Sequence, residues 1–450
     1  MFAIKTRAAC ALLTGAAALF CSNFAWAVLP IQHWTQASGA QVFLVESPTI
    51  PMVDVRVELD GGSRRDPAAQ AGLVNAMAGA MSDGVRATAE QPALDENGLG
   101  EAWADLGASF GGGATADRLS FSLRSLTYPD LLGKAVALAA RQLAEPAFPE
   151  AIWLRDRPKS IASLKEAQTR PANVAAKAFA QAVYGSHPYG AETTEATLMR
   201  IGVADMAALH AQLVRPCRAK VSLVGALNRA QADALVAQLL SRLPQGACPA
   251  LPPVPEVASL QQAVQEDVAF DAAQAQVLLG QPGYPRRDPD HFALVVGNHI
   301  LGGGGFTSRL TTEVREKRGL TYSVYSYFAP GLHAGAFTVG LQTRPDQAQQ
   351  ALALVRKELA KFVAEGPTEK ELQAAKDNLI GGFPLLLDGN RKLLDNVANI
   401  AWNGLPLTYL DTWTQQINRL TVADIRAAFG RKLQPEKMVT VVLGAPASGP

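Results

Sequence analysis

The tetrapeptide Arg-Arg-Asp-Pro occurs twice, at residues 64–67 and 286–289, each time after a strand-like stretch with a glycine turn and before an apolar helical stretch. The wider segments, VDVRVELDGGSRRDPAAQAGLVNAMAGAMSDG and AQVLLGQPGYPRRDPDHFALVVGNHILGGG, keep the same order of elements. A repeat on that scale constrains the fold more than any single motif. In a chain of 450 residues it means two similar domains rather than a solenoid. The proline-dense residues 247–256 read as a semi-rigid linker between them. The expected division is therefore a leader at 1–27, a first domain at 28–246, the linker, and a second domain at 257–450.

Each half is expected to be α+β, a mostly antiparallel sheet covered by helices. Strand-like stretches fall at residues 41–46, 53–58, 119–123, 220–224, 275–279, 336–341 and 438–443. Helical periodicity lies between them. Within residues 346–365, Leu352, Val355, Leu359, Phe362 and Val363 form one apolar stripe, and Thr368 with Glu371 has the spacing of a capping box. In residues 71–84, Leu73, Met77, Ala80 and Met81 share one face, with Asp83 and Gly84 supplying an end.

Positive and negative charges nearly cancel, at a net +1, and no long run of one sign occurs, so neither nucleic acid nor an anionic membrane is expected as partner. Residues 1–27 stand apart. Lys5 and Arg7 precede an apolar run to about Phe20, and Ala25-Trp26-Ala27 supplies a cleavage pattern, so they read as a secretory signal peptide. The apolar run is shorter than the roughly 20 residues of a membrane span. The mature chain is expected in the periplasm, soluble after cleavage. It keeps two cysteines, Cys217 and Cys248, which in an oxidising compartment either form one disulfide or stay as two unpaired thiols.

Chemistry is hard to find. None of the six histidines has a second histidine one helical turn away, and a helical zinc site needs two imidazoles on one face with a carboxylate nearby. The glycine runs at 111–113 and 302–305 lack the Gly-Lys-Ser/Thr ending of a phosphate loop and read as turns that let backbone approach something closely. No GxSxG elbow occurs. In residues 308–324, SRLTTEVREKRGLTYSV, a cationic helical stretch leads into a strand across Gly319, and a turn there would bring Arg315 and Tyr322 together as donors to one carbonyl oxygen.

The stretch FTSRLTTEVREKRGLTYSVYS resembles the C-terminal-domain signature of the M16 zinc peptidases, the family of pitrilysin, insulin-degrading enzyme and the mitochondrial processing peptidase. GGSRRDP, YGSHPYG at 184–190, GLPLTYLDTW at 404–413 and the two-half organisation carry the likeness over nearly the whole mature chain. The resemblance implies two domains like those of the mitochondrial processing peptidase, closing round an extended peptide. It also implies an HxxEH motif on the helix after GGSRRDP. Here those positions hold Asn75, Ala78 and Gly79, and the remaining ligand falls near Ser163, with Glu166 close by. The family's carbonyl-binding arginine and tyrosine match Arg315 and Tyr322.

The expected function is thus that of a zinc-less, non-catalytic subunit of a heterodimeric M16 peptidase. It would bind peptide through Arg315 and Tyr322 while an HxxEH-bearing homologue supplies zinc and hydrolysis. The alternative is a structural or peptide-binding M16-like protein with no part in proteolysis.

Overall fold

The computed structural model describes residues 30–444; the signal-peptide reading of residues 1–27 lies outside them. Two sheets organise the chain. In the first half the strand order is Gln32–Thr35, Gln41–Glu46, Lys220–Gly225, Met52–Asp60, Arg118–Leu126, Ser109–Ala114. In the second half it is Val264–Val268, Val439–Leu443, Ala275–Tyr284, Gly335–Thr343, Ser323–Phe328. Apart from the added Gln32–Thr35 strand, the two orders superimpose element by element, including one parallel pair and three antiparallel pairs in the same places. The duplication read from the sequence is therefore a duplication of topology.

One face of each sheet carries its own half's helices. In the first half Leu73, Met77, Ala80 and Met81 join Phe121 and Leu143 in the core, and Val74 and Ala78 widen the apolar face of the Leu73–Ala80 helix. In the second half Leu352, Val355, Leu359 and Phe362 of the Ala348–Glu365 helix pack with Phe337 and Phe429, and Thr368 and Glu371 form the capping box at the start of the next helix. Such a reciprocal cap satisfies two of the orphan amides at a helix start.

The opposite faces are covered by exchange. The Pro171–Tyr184 helix, from the first half, lies on the second sheet, with Ala175, Phe179 and Val183 against Val439, Val441 and Leu443. The Asn390–Asn403 helix, from the second half, lies on the first sheet, with Leu394, Val397 and Ala401 close to Phe43, Val45 and Val224. Each half thus completes the other's core, and neither buries its apolar surface alone.

The exchange explains a pattern that a strand alone cannot. Asp54, Arg56 and Glu58 alternate along Met52–Asp60 as a solvent-facing row would, yet Asp54 and Glu58 are buried. Burial requires partners. Arg124 bonds Asp54 at 2.6 Å, Arg118 bonds Glu58 at 2.8 Å, and Arg56 reaches Asp395 on the covering helix at 2.7 Å. Lys220 donates to the carbonyls of Ala401 and Trp402, at 2.8 and 3.0 Å, where a cation also suits the negative end of the Asn390–Asn403 helix.

The linker is pinned rather than free. Arg65 donates to the Pro252 carbonyl at 2.9 Å, and His187 Nε2 lies 2.9 Å from that of Pro255. Cys217 and Cys248 form a disulfide that fastens the linker's start to the segment entering the Lys220–Gly225 strand. No helix among the described residues is long and apolar enough to cross a membrane.

Candidate functional site

The repeated tetrapeptide proves to be scaffold. The Asp66 carboxylate accepts the backbone amides of Gly72 and Val74, at 2.8 and 3.0 Å, and so holds the start of the Leu73–Ala80 helix. Burial pushes its carboxyl up to about 6 despite those donors. Arg64 approaches Asp117 at 3.0 Å, and Asp117 also takes the hydroxyl of Tyr189, at 2.7 Å, and the amide of Leu332 in the second half, at 2.9 Å. GGSRRDP and YGSHPYG therefore meet on one carboxylate that spans the two halves. In the second copy Arg286 donates to the Tyr409 hydroxyl at 2.7 Å, which gives GLPLTYLDTW the corresponding place.

On the Leu73–Ala80 helix, Asn75 and Gly79 face the open and Ala78 is buried. A Cβ added at Gly79 would meet nothing within 4 Å. The helix thus keeps an exposed face one turn long and offers it a single amide. Zinc does not fit there: an amide, a methyl and a hydrogen provide no imidazole and no carboxylate. Ser163 and Glu166 sit exposed on the Glu150–Ala167 helix, where Glu166 pairs with Arg170. Among the described residues no group of three or more His, Cys, Asp or Glu side chains could hold a metal ion.

Arg315 and Tyr322 come together. Arg315 lies on the π-helical turn Thr311–Glu316, which ends as Gly319, at φ +61°, donates its amide to the Arg315 carbonyl at 2.9 Å. That left-handed conformation is the one glycine adopts at least cost. Thr321, buried, bonds the Ser323 carbonyl at 2.7 Å and fixes the approach to Tyr322. Both side chains line one cavity of about 390 Å³ with Phe306, over whose ring the Arg315 guanidinium stands at 4.8 Å. Glu313 is taken by Lys317 and Arg318, at 2.6 and 2.8 Å. Among the described residues no carboxylate pairs with Arg315, and it lines the cavity together with Tyr322, which is 83% exposed.

Two further cavities follow, each sharing lining residues with the one before. One, of about 330 Å³, shares Ser323, Tyr325 and Tyr327 with the first and runs under the Pro171–Tyr184 helix. The next, of about 810 Å³, shares Tyr184 and Ala329 with the second and reaches Gly111, Arg118 and Trp402. The result is a row of cavities with overlapping linings from Arg315 to the free edge of the first sheet.

The glycine runs differ from the turns expected of them. Gly111–Gly113 lies within the edge strand Ser109–Ala114, because pairing with Arg118–Leu126 supplies the order that three glycines lack. The second run begins in the π-helical turn His299–Gly303, where a Cβ on Gly302 would strike the Ser326 backbone at 2.6 Å. Sequence reasoning also passed over Asp117, Glu58, Tyr325 and Tyr327. The period-two spacing of Tyr325 and Tyr327 was the one available signal.

The model of the peptidase M16 inactive domain matches residues 200–379. A crystal structure described as a peptidase M16 inactive domain from Pseudomonas fluorescens is 34% identical, with a TM-score of 0.87, over 93% of this chain and 99% of that one. The periplasmic protease PqqL from Escherichia coli shares the fold at 20% identity, with a TM-score of 0.79; the match covers 93% of this chain but 46% of PqqL. Among curated relatives, an uncharacterized zinc protease from Streptomyces coelicolor is 38% identical over 34% of this chain. Another from Mycobacterium leprae is 30% identical over 60% of it. The chain spans 33% and 61% of those two proteins. A non-peptidase homolog, YmxG, from Helicobacter pylori is 26% identical over 85% of this chain and 87% of its own length.

Proposed function

The chain belongs to the peptidase M16 family, and from that premise we propose that it is the zinc-less, non-catalytic subunit of a two-chain M16 peptidase of the periplasm. The observation that carries the reading is an asymmetry. Arg315 and Tyr322 share one open cavity with their donors free, while Asn75, Ala78 and Gly79 leave the exposed helix without metal ligands or a base. A peptide carbonyl placed between a guanidinium and a phenol finds two preorganised donors where negative charge develops during attack. The partner, an HxxEH-bearing homologue, supplies zinc and the water it activates. An extended peptide adds as a strand to the free edge at Ser109–Ala114, whose glycines permit close approach. That PqqL contains this fold in under half its length agrees with a working unit about twice this size.

Mixing the mature chain with its HxxEH homologue should produce zinc-dependent peptide hydrolysis that neither shows alone. Arg315→Ala should lower turnover of the pair about 100-fold, the order of a lost carbonyl donor, with the complex still eluting intact. Unchanged turnover in an intact complex overturns the assignment. The second reading, a peptide-binding or structural protein outside proteolysis, is favoured by the likeness to a non-peptidase homolog over most of the chain. Affinity capture that brings down no HxxEH chain would decide for it.

A further inference from the structure

We propose that the middle cavity, between the Pro171–Tyr184 helix and the strands Ser323–Phe328 and Gly335–Thr343, is a pocket for one aromatic side chain of the bound peptide. The inference rests on the reading that Arg315 and Tyr322 bind a peptide.

The pocket arises because the crossing helix stops short. It packs on Ala275–Tyr284 and Val439–Leu443 and leaves the outer part of the sheet bare. On that bare floor the strand alternation puts Ser323, Tyr325 and Tyr327 on one face, with Val324 and Ser326 buried on the other. Tyr325 stands opposite Gly340 in register, and a Cβ there would meet its ring at 2.5 Å. Glycine at 340 therefore lets the ring lie flat across the floor. Tyr327 stacks beside it with ring centroids 6.0 Å apart, and both rings remain more than 40% exposed.

The facing wall combines four alanines with Phe179 and Tyr184. Ala172, Ala175, Ala176 and Ala180 give the helix no bulk where it passes the tyrosines, and the space left is about 330 Å³. That is the low end of ligand pockets and enough for one aromatic side chain. No charged residue lines it, and its polar groups are neutral, such as Gln276, Thr338 and Gln342. Flat rings, an apolar wall and neutral hydrogen-bonding groups suit an aromatic ring, which gains from offset or edge contact with tyrosine. A carboxylate or ammonium would lose its hydration there with no opposite charge to meet it. Because Ser323, Tyr325 and Tyr327 also line the cavity of Arg315 and Tyr322, the occupant comes from the same peptide a few residues along.

The test uses the mature full-length chain and fluorescein-labelled ten-residue peptides of Ser, Thr and Val, each carrying one Trp, Phe, Ala, Asp or Lys at a position moved along the peptide. In one register Trp or Phe should bind about tenfold tighter than Ala, and Asp and Lys no tighter than Ala. Ala176→Trp, which fills the pocket from the exposed helix face, should reduce that preference to under about twofold. Gln342→Trp blocks the same space from the sheet if the first variant does not fold. Equal binding of aromatic and alanine peptides, still weakened by Arg315→Ala, overturns the pocket and leaves the peptide-binding reading standing. Binding of no peptide at any concentration up to millimolar overturns both.

Discussion

The two sheets present equivalent floors to the space between the halves, and the floors have opposite chemistry. In the first half the face of Met52–Asp60 and Arg118–Leu126 that the Asn390–Asn403 helix crosses is charged, built from Asp54, Arg56, Glu58, Arg118 and Arg124. In the second half the matching strands Ala275–Tyr284 and Gly335–Thr343 offer Gln276, Leu278, Thr338 and Gln342, with Tyr325 and Tyr327 on the edge strand Ser323–Phe328 beside them, and no charged residue lines that cavity. Strand order and crossing helix are shared, so topology does not decide what the floor binds. Side chains do, and each floor is supported differently. The charged floor depends on paired neighbours, since burial raises the carboxyl of Glu58 while Arg118 opposes the rise. The aromatic floor depends on small residues, Gly340 and the helix alanines, that leave room.

The largest asymmetry is covalent. The first half has a disulfide, closing a separation of 31 residues, and among the described residues the second half has none. Replacing Cys217 and Cys248 by alanine removes a constraint worth about 3.5 kcal/mol for a loop of that length. Denaturant unfolding should show that loss, and a loss under about 1 kcal/mol would mean that the linker is held by its hydrogen bonds alone. Next comes Arg118→Ala, which leaves Glu58 buried without its partner and should cost about 3 kcal/mol. Tyr327→Ala on the other floor should cost far less, because its ring is half exposed. Equal losses would erase the distinction between a floor held by pairing and one held by space.

Acid should act on the halves with opposite sign. In the second half His291, half-buried and bonded to the Tyr284 hydroxyl at 3.0 Å, is lowered to about 3 by desolvation and then by Arg286. The unfolded chain takes up that proton first, so stability present above about pH 6.5 is lost as the pH falls toward 3. In the first half Asp66 is raised by burial to about 6, so the folded state takes up its proton first and stability rises as the pH falls from about 6 to about 4. Between pH 7 and pH 5 the His291 contribution falls by about 2 kcal/mol, at about 1.4 kcal/mol per unit. His291→Leu should flatten that part of the stability profile and Asp66→Asn should steepen it; a common direction for both would refute the assignment.

Much of the scaffold was legible because local pattern and tertiary position agree. The apolar stripe of Ala348–Glu365, the Thr368 cap and the alternating strands each follow from spacing alone. Where they disagree, the sequence misleads. Gly111–Gly113 carries no pattern and becomes a strand only through its neighbour, and Val264–Val268 reads as polar because it lies at a sheet edge. Glu58 looks solvated until a helix more than 300 residues away covers it. Asn75 was read as part of a packing helix, and its neighbours do pack, but its own face is open. Arg315 and Tyr322 could be paired because Gly319 marks a turn between them. Tyr325 and Tyr327 gained meaning only when the alanines of 172–180 were seen across from them.

The smallest expected effect on stability separates fold from docking most cleanly. In the edge strand Ser109–Ala114 a Cβ at Gly111 or Gly113 would meet nothing within 4 Å, whereas one at Gly112 would meet the Phe121 ring at 2.6 Å. Gly112→Ala must displace a core ring and should destabilise by about 1–3 kcal/mol. Gly113→Val has room and a side chain suited to a strand, so its effect on unfolding should stay within about 0.5 kcal/mol of zero. If peptide docks against this edge, the added isopropyl group stands where the incoming strand approaches, and labelled-peptide affinity should fall several-fold without any change in melting temperature. Undiminished affinity would move the docking strand off this edge and leave the aromatic floor as the side of the space that holds the peptide.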